Sequence, residues 1–172
     1  MKKLSIILGL LLAVVAIEVN AQKFALIDME YILKNIPAYE MANEQLKQVS
    51  QKWEKEIEQQ AAKVETMYKD YQSNSIFYTD EQKKSKEEEI LAEDKKTQEL
   101  KRSYFGPEGE LFKKREALMK PIQDDIYEAV KTISDNKGYQ MVMDRASAAS
   151  VIYASPKIDI SNEVLSKLGY SK

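Results

Sequence analysis

AYEMANEQLKQVSQKWEKEIEQQAAKVETMYKDYQ, residues 38–72, decides the fold. Apolar side chains fall at Ala42, Leu46, Val49, Trp53, Ile57, Ala61, Val64, Tyr68 and Tyr71, in steps of three or four. The steps average close to the 3.6-residue turn of an α-helix. Lys, Glu and Gln fill the positions between, so such a helix buries one narrow stripe. At 1.5 Å per residue it runs for about 50 Å, longer than the radius of any globule this chain could form. It must protrude.

Both ends of this helix carry stop signals. Pro37 precedes it, suited to a first turn where its missing N–H costs nothing. Ser73-Asn74-Ser75 breaks the pattern at the far end and leads into Ile76-Phe77-Tyr78. Thr79-Asp80-Glu81-Gln82 then has the form of a capping box, which starts a second helix near Asp80. Two long helices joined by a short polar connection pack antiparallel, so the fold is a helical hairpin arm with its tip near residues 73–79.

The returning helix is highly charged. Residues 81–102 hold seven acidic and seven basic side chains, with Ile90, Leu91, Ala92 and Leu100 as the aliphatics, which reads as a solvated, salt-bridged face. Gly106-Pro107-Glu108-Gly109 must break or bend the helix. Gly106, Pro107 and Gly109 are the candidate hinge about which the arm swings. Periodicity resumes at Leu111, Leu118, Ile122, Ile126, Val130 and Ile133, with a kink expected at Pro121 and a C-terminal stop at Gly138.

The rest is a small β-containing head, residues 22–37 and 112–172, on an arm of residues 38–111. Phe24-Ala25-Leu26-Ile27 and Tyr139 to Asp144 read as strands, and Val151-Ile152-Tyr153 as a third that closes a hairpin ended by Pro156. Asp159 or Ser161 caps a last helix through Leu165 and Leu168, closed by Gly169. The fold class is mainly α with a small β part.

Residues 1–21 read as a signal peptide. Lys2 and Lys3 precede an apolar run from Leu4 to Ile17, and Val19-Asn20-Ala21 offers a cleavage site. The run is shorter than the roughly 20 residues of a spanning helix, so export with cleavage after Ala21 is expected. The remaining 22–172 then carries 24 basic and 27 acidic side chains. That balance disfavours nucleic acid, whose binding relies on a basic excess, and limits membrane contact to transient encounters.

Histidine and cysteine are both absent. Ordinary zinc, copper and haem sites therefore lack their usual ligands, and no disulfide framework is available. There is no His base, Cys nucleophile or Gly-rich phosphate loop, so no catalytic residue and no cofactor is assigned. A head of this size rarely buries enough apolar area to fold alone. With metal and disulfides set aside, association through the strands remains, and it also covers open sheet edges. The expected oligomer interface is Phe24, Leu26, Met141, Met143, Val151 and Tyr153.

Aromatic side chains gather toward the distal arm and the presumed joint. Tyr71, Ile76, Phe77, Tyr78, Tyr104 and Phe105 are the candidate client contacts, since Tyr and Phe offer large apolar area at low rotamer entropy. Met67 and Tyr68 lie among them, although Tyr68 and Tyr71 continue the seam and so also read as packed inside the hairpin. Trp53, at a seam position, reads as core.

The chain resembles the Skp/OmpH family of periplasmic chaperones over essentially all of residues 22–172. The likeness is carried by Phe24 to Lys34 with Pro37-Ala38, by Pro121-Ile122 through Ile126, Val130 and Lys137-Gly138-Tyr139 to Val142-Met143-Asp144, and by Asp159-Ile160-Ser161 through Val164-Leu165. The resemblance implies a homotrimer whose strands form a central barrel, with three arms around a cavity. It implies a periplasmic holdase that binds unfolded outer-membrane proteins without ATP. The best-known members are basic, a charge credited with attracting acidic clients and lipopolysaccharide. This chain is slightly acidic, and its Gly-Pro-Glu-Gly break is not part of the family pattern. The competing reading is a structural or tethering coiled-coil protein of the cell envelope.

Overall fold

The computed structural model describes residues 23–147 and 151–170, so the signal-peptide reading lies outside the described residues. In chain order come β1 (Lys23–Ile27), α1 (Met29–Lys34), α2 (Pro37–Asn74), a 3-10 turn (Ser75–Phe77), α3 (Asp80–Phe105), α4 (Glu110–Lys137), β2 (Tyr139–Asp144), a second 3-10 turn (Pro156–Ile158) and α5 (Ser161–Lys167). The chain is mainly helical with a small β part, as its sequence implies, and the sheet has two strands.

The long helices form where local signals place them. Pro37 opens α2, whose 38 residues extend for about 57 Å. The capping box at the start of α3 is complete: Gln82 N–H donates to Thr79 Oγ1 at 3.3 Å, and Thr79 N–H donates to Gln82 Oε1 at 2.9 Å. Gly138 ends α4 at φ +71°, a left-handed position that glycine occupies without steric cost. α4 runs on through Pro121, which has no N–H to give the preceding turn.

The buried stripe of α2 differs in phase from a straight 3.6-residue reading. From Leu46 outward the inward positions are Val49, Ser50, Trp53, Ile57, Gln60, Val64, Met67 and Tyr71, and from Ser50 on they alternate in steps of three and four. That is the heptad rhythm of supercoiled helices, which drifts from a straight helix by about 60° over three heptads. Gln60 and Met67 therefore take seam positions expected for Ala61 and Tyr68, and both of the latter are exposed. α3 answers with Ile90, Glu93, Thr97, Leu100 and Tyr104, at steps of three and four.

The head assembles around the first and last parts of this excursion. β1 and β2 pair in parallel, with Phe24 opposite Met141, Ala25 opposite Val142 and Leu26 opposite Met143. One face of the sheet, Ala25 and Ile27, packs on Ile32, Ile36, Ile126, Ile133, Ile160 and Val164. Arg145 ties the ends of the strands together, 2.9 Å from Asp28 and 3.4 Å from Asp159. Asp28 also caps α1 through the Tyr31 N–H, and its own N–H donates to Ser161 Oγ.

The expected third strand is not formed. Val151, Ile152 and Tyr153 carry no ladder, and Ile152 and Tyr153 stand out in solvent. A strand exists through its pairing, and three residues flanked by Ala154-Ser155 have little β-propensity around them to hold one. The chain instead returns beside β1, where Ile160 N–H donates to the Leu26 carbonyl at 2.9 Å. Neither Asp159 nor Ser161 is the cap of α5: Ile160 holds that position without a side-chain cap, and Asp159 accepts the N–H of Ser161, the first helical residue, at 2.9 Å.

The Gly-Pro-Glu-Gly segment is a tight turn between α3 and α4. Gly106 N–H closes on the Arg102 carbonyl at 2.8 Å, and Gly109 N–H on the Gly106 carbonyl at 2.9 Å. A Cβ on Gly109 would stand 2.7 Å from the Tyr104 carbonyl oxygen and 2.8 Å from that of Ser103. Both obstacles are backbone, so neither can step aside cheaply. Gly109→Ala should therefore lower stability to urea by about 1–3 kcal/mol, whereas Pro107→Ala in the same exposed turn should change it by less than about 0.5 kcal/mol.

Candidate functional site

The distal half of the arm exposes the apolar surface that the hairpin cannot use for itself. At the tip the 3-10 turn projects Ile76 and Phe77, which are 80% and 77% exposed. Tyr78 turns back instead and lies on Tyr71, ring centroids 6.3 Å apart at 27°. Three consecutive side chains cannot all point one way, and here two point out and one in.

Tyr104 and Phe105 are placed differently from the tip residues. Tyr104 stacks on Trp53 at 4.6 Å and 9°, and Phe105 meets the same indole edge-on at 6.3 Å. Tyr104 also donates its hydroxyl to Glu56 across the helices at 3.1 Å. Such aromatic pairs contribute about 0.5–1.5 kcal/mol beyond area burial. These two candidates lie half-buried within the hairpin, beside the Gly106–Gly109 turn.

Tyr68 and Leu91 form the surface that a straight-helix reading misses. Each sits one residue past a seam position, Met67 or Ile90, and they are 52% and 72% exposed. With Val64, Tyr71 and Ile90 they wall a groove of about 630 Å³ between α2 and α3. Tyr71 is half-buried in it and donates its hydroxyl to Glu87. The signal for this groove was present in the sequence, but it required a 3.5-residue period.

The residues expected at an oligomer interface divide in two. Phe24, Met141 and Met143 lie on the sheet face turned away from the core and are exposed, with Leu26 between them already buried within the chain. Val151 and Tyr153 belong to the unpaired segment after β2. Among the described residues no group of three or more acidic side chains is arranged to hold a metal ion, and no helix is long and apolar enough to cross a membrane.

This arrangement of a small head and a long hairpin can be set against known proteins. The family model of outer membrane proteins, OmpH-like, matches residues 23–168. The chain belongs to the OmpH-like family. An uncharacterized protein of Aquifex aeolicus (strain VF5) is 27% identical over 145 residues, which cover 84% of this chain and 85% of that one. A solved OmpH-like outer membrane chaperone candidate from Caulobacter crescentus CB15 superimposes with a TM-score of 0.69 at 11% identity, covering 86% of this chain and 84% of its own. The fold is shared across that distance.

Midway along its arm this OmpH-like protein has a polar tie in place of apolar packing. Glu93 receives Lys96 at 2.7 Å, Lys63 from the opposite helix at 3.1 Å and Gln60 at 2.6 Å. Thr97, 6% exposed, donates to the Glu93 backbone carbonyl one turn back. The hydrogen bonds from Lys96, Lys63 and Gln60 hold the Glu93 carboxyl down at about 2, from an ordinary 4.5. Folding therefore favours the ionised form, and its contribution is full above pH 4.5 and lost as the pH falls toward 2. Thermal melts by circular dichroism should show wild type above Glu93→Gln at neutral pH, the gap closing as the pH approaches 2. A gap constant over that range would assign the residue no electrostatic part.

Proposed function

We propose that this OmpH-like protein is an ATP-independent holdase of the periplasm that binds unfolded outer-membrane proteins between helical arms and keeps them from aggregating. The observation that carries the reading is a set of exposed apolar side chains on the outer arm, separate from those exposed on the head. Ile76, Phe77, Tyr68 and Leu91 all lie on the outer half of the arm, well away from the head's core. A client without fixed structure is held by many weak contacts, and several arms sharing it raise the effective concentration of each. The family's description as outer membrane proteins supports the client class.

Several copies join through the heads in this reading. Phe24, Met141 and Met143 give the sheet a second apolar face, and β2 has a free edge among the described residues. Covering both by strand association produces an oligomer, and the resemblance to the Skp/OmpH family makes it a homotrimer with a barrel-like centre and arms around a space. The chain is exported with cleavage after Ala21, and Gly106, Pro107 and Gly109 form the joint about which each arm adjusts. The mass of residues 22–172 in solution should be that of three chains, and Phe24→Ser with Met141→Ser should shift it toward one.

A tethering coiled coil is the second reading, favoured by the regular four-three rhythm of the seam. It gives no role to an exposed tip. Purified residues 22–172 should keep a urea-unfolded β-barrel protein soluble without nucleotide. Ile76→Ser with Phe77→Ser should weaken that retention several-fold while leaving the oligomer mass unchanged. Aggregation of the client at several-fold chaperone excess would decide for the tether.

A further inference from the structure

The groove beside the seam has an apolar floor and an acidic rim. Glu65, Glu87 and Asp94 border it. Glu65 is paired with Lys69 at 2.6 Å. Among the described residues, neither Glu87 nor Asp94 has a lysine or arginine within ion-pair distance. Two uncompensated carboxylates thus stand over a floor formed by Val64, Tyr68, Ile90 and Leu91.

We infer that this groove takes an extended segment of unfolded polypeptide in which large apolar side chains are flanked by lysine or arginine. The inference rests on the holdase reading and names the part of a client that the arm prefers. From Ala61 to Tyr71 the groove runs along about 15 Å of helix, which matches four or five residues of extended chain at about 3.3 Å each. Leu91 and Tyr68 supply apolar contact, and the carboxylates attract flanking cations across a surface of low polarity.

The same charges argue against the other occupants. In a symmetric contact between two arms, each groove would present Glu87 and Asp94 to their own copies, and like charges would face one another. An anionic membrane surface would be repelled in the same way.

The test uses residues 22–172 and two fluorescein-labelled peptides, Lys-Lys-Phe-Leu-Tyr-Val-Lys-Lys and Glu-Glu-Phe-Leu-Tyr-Val-Glu-Glu, followed by anisotropy at low salt. The basic peptide should bind about tenfold more tightly than the acidic one, and added salt should shrink the difference. Leu91→Ser, at a position already open to solvent, should weaken both peptides about tenfold. Glu87→Gln with Asp94→Asn should reduce the basic preference to about threefold or less without changing helical content. Equal binding of the two peptides, or unchanged binding by Leu91→Ser, would overturn the inference. So would a concentration-dependent rise in mass that Leu91→Ser abolishes, since the groove would then belong to a second copy. Client aggregation run on the same samples separates the two readings. A chain that keeps the β-barrel client soluble but shows no charge preference remains a holdase without this groove. A chain that discriminates the peptides but lets the client aggregate keeps the groove and loses the holdase reading.

Discussion

The ladder between β1 and β2 brings both ends of the arm onto one base. Everything from residue 28 to residue 138 lies between the two strands, so their pairing closes a very long loop. A flexible loop of that length would oppose closure, although the cost grows only slowly with length. Here the intervening chain goes out and back as paired helices, which returns its ends to the same place before the strands meet. Arg145 between Asp28 and Asp159, and the Ile160 N–H on the Leu26 carbonyl, then fasten β1, β2 and the start of α5 to one another. The core of isoleucines and alanines beneath the sheet can form only once these segments are together.

Along the arm, packing and polarity alternate in a definite order. Trp53 with Tyr104 and Phe105 forms an aromatic clasp about halfway out, Glu93 with Lys63 and Gln60 a polar tie beyond it, and Tyr71 with Tyr78 and Glu87 a closure near the tip. Each tie joins the two helices, and between them the seam is thin. A two-helix arm has no third layer to cover its flanks, so on its outer half large apolar side chains one position off the seam stay in water. That geometry leaves Tyr68 and Leu91 exposed, and it ties apolar exposure directly to the phase of the helix.

Local signals in the sequence translated faithfully into structure. Pro37, the Thr79–Gln82 capping box and Gly138 each mark a boundary through chemistry confined to a few residues, and the helices begin and end there. Signals that depend on distant partners were harder to read. The 3.6-residue count that placed Ala61 and Tyr68 inward ignores the supercoil that a facing helix imposes. Val151 to Tyr153 has strand-like composition, but pairing is a property of two segments, and it makes no ladder with β2, whose outer edge stays free among the described residues. Gln60 and Glu93 look like solvated surface in a run of polar and charged residues, and only their opposition across the helices makes them a tie.

The strict four-three rhythm has a consequence for how such a molecule can change size. Seven residues added to α2 before the tip, with seven more added to α3 after it, would preserve the phase of every existing contact. Each such pair of insertions would lengthen the reach by about 10 Å while the head remained unaware of it. An insertion that is not a whole number of heptads would rotate the outer arm about its axis and send a different set of side chains into water. Reach and surface chemistry are therefore adjusted by different kinds of mutation, the first by whole heptads and the second by single-residue slips.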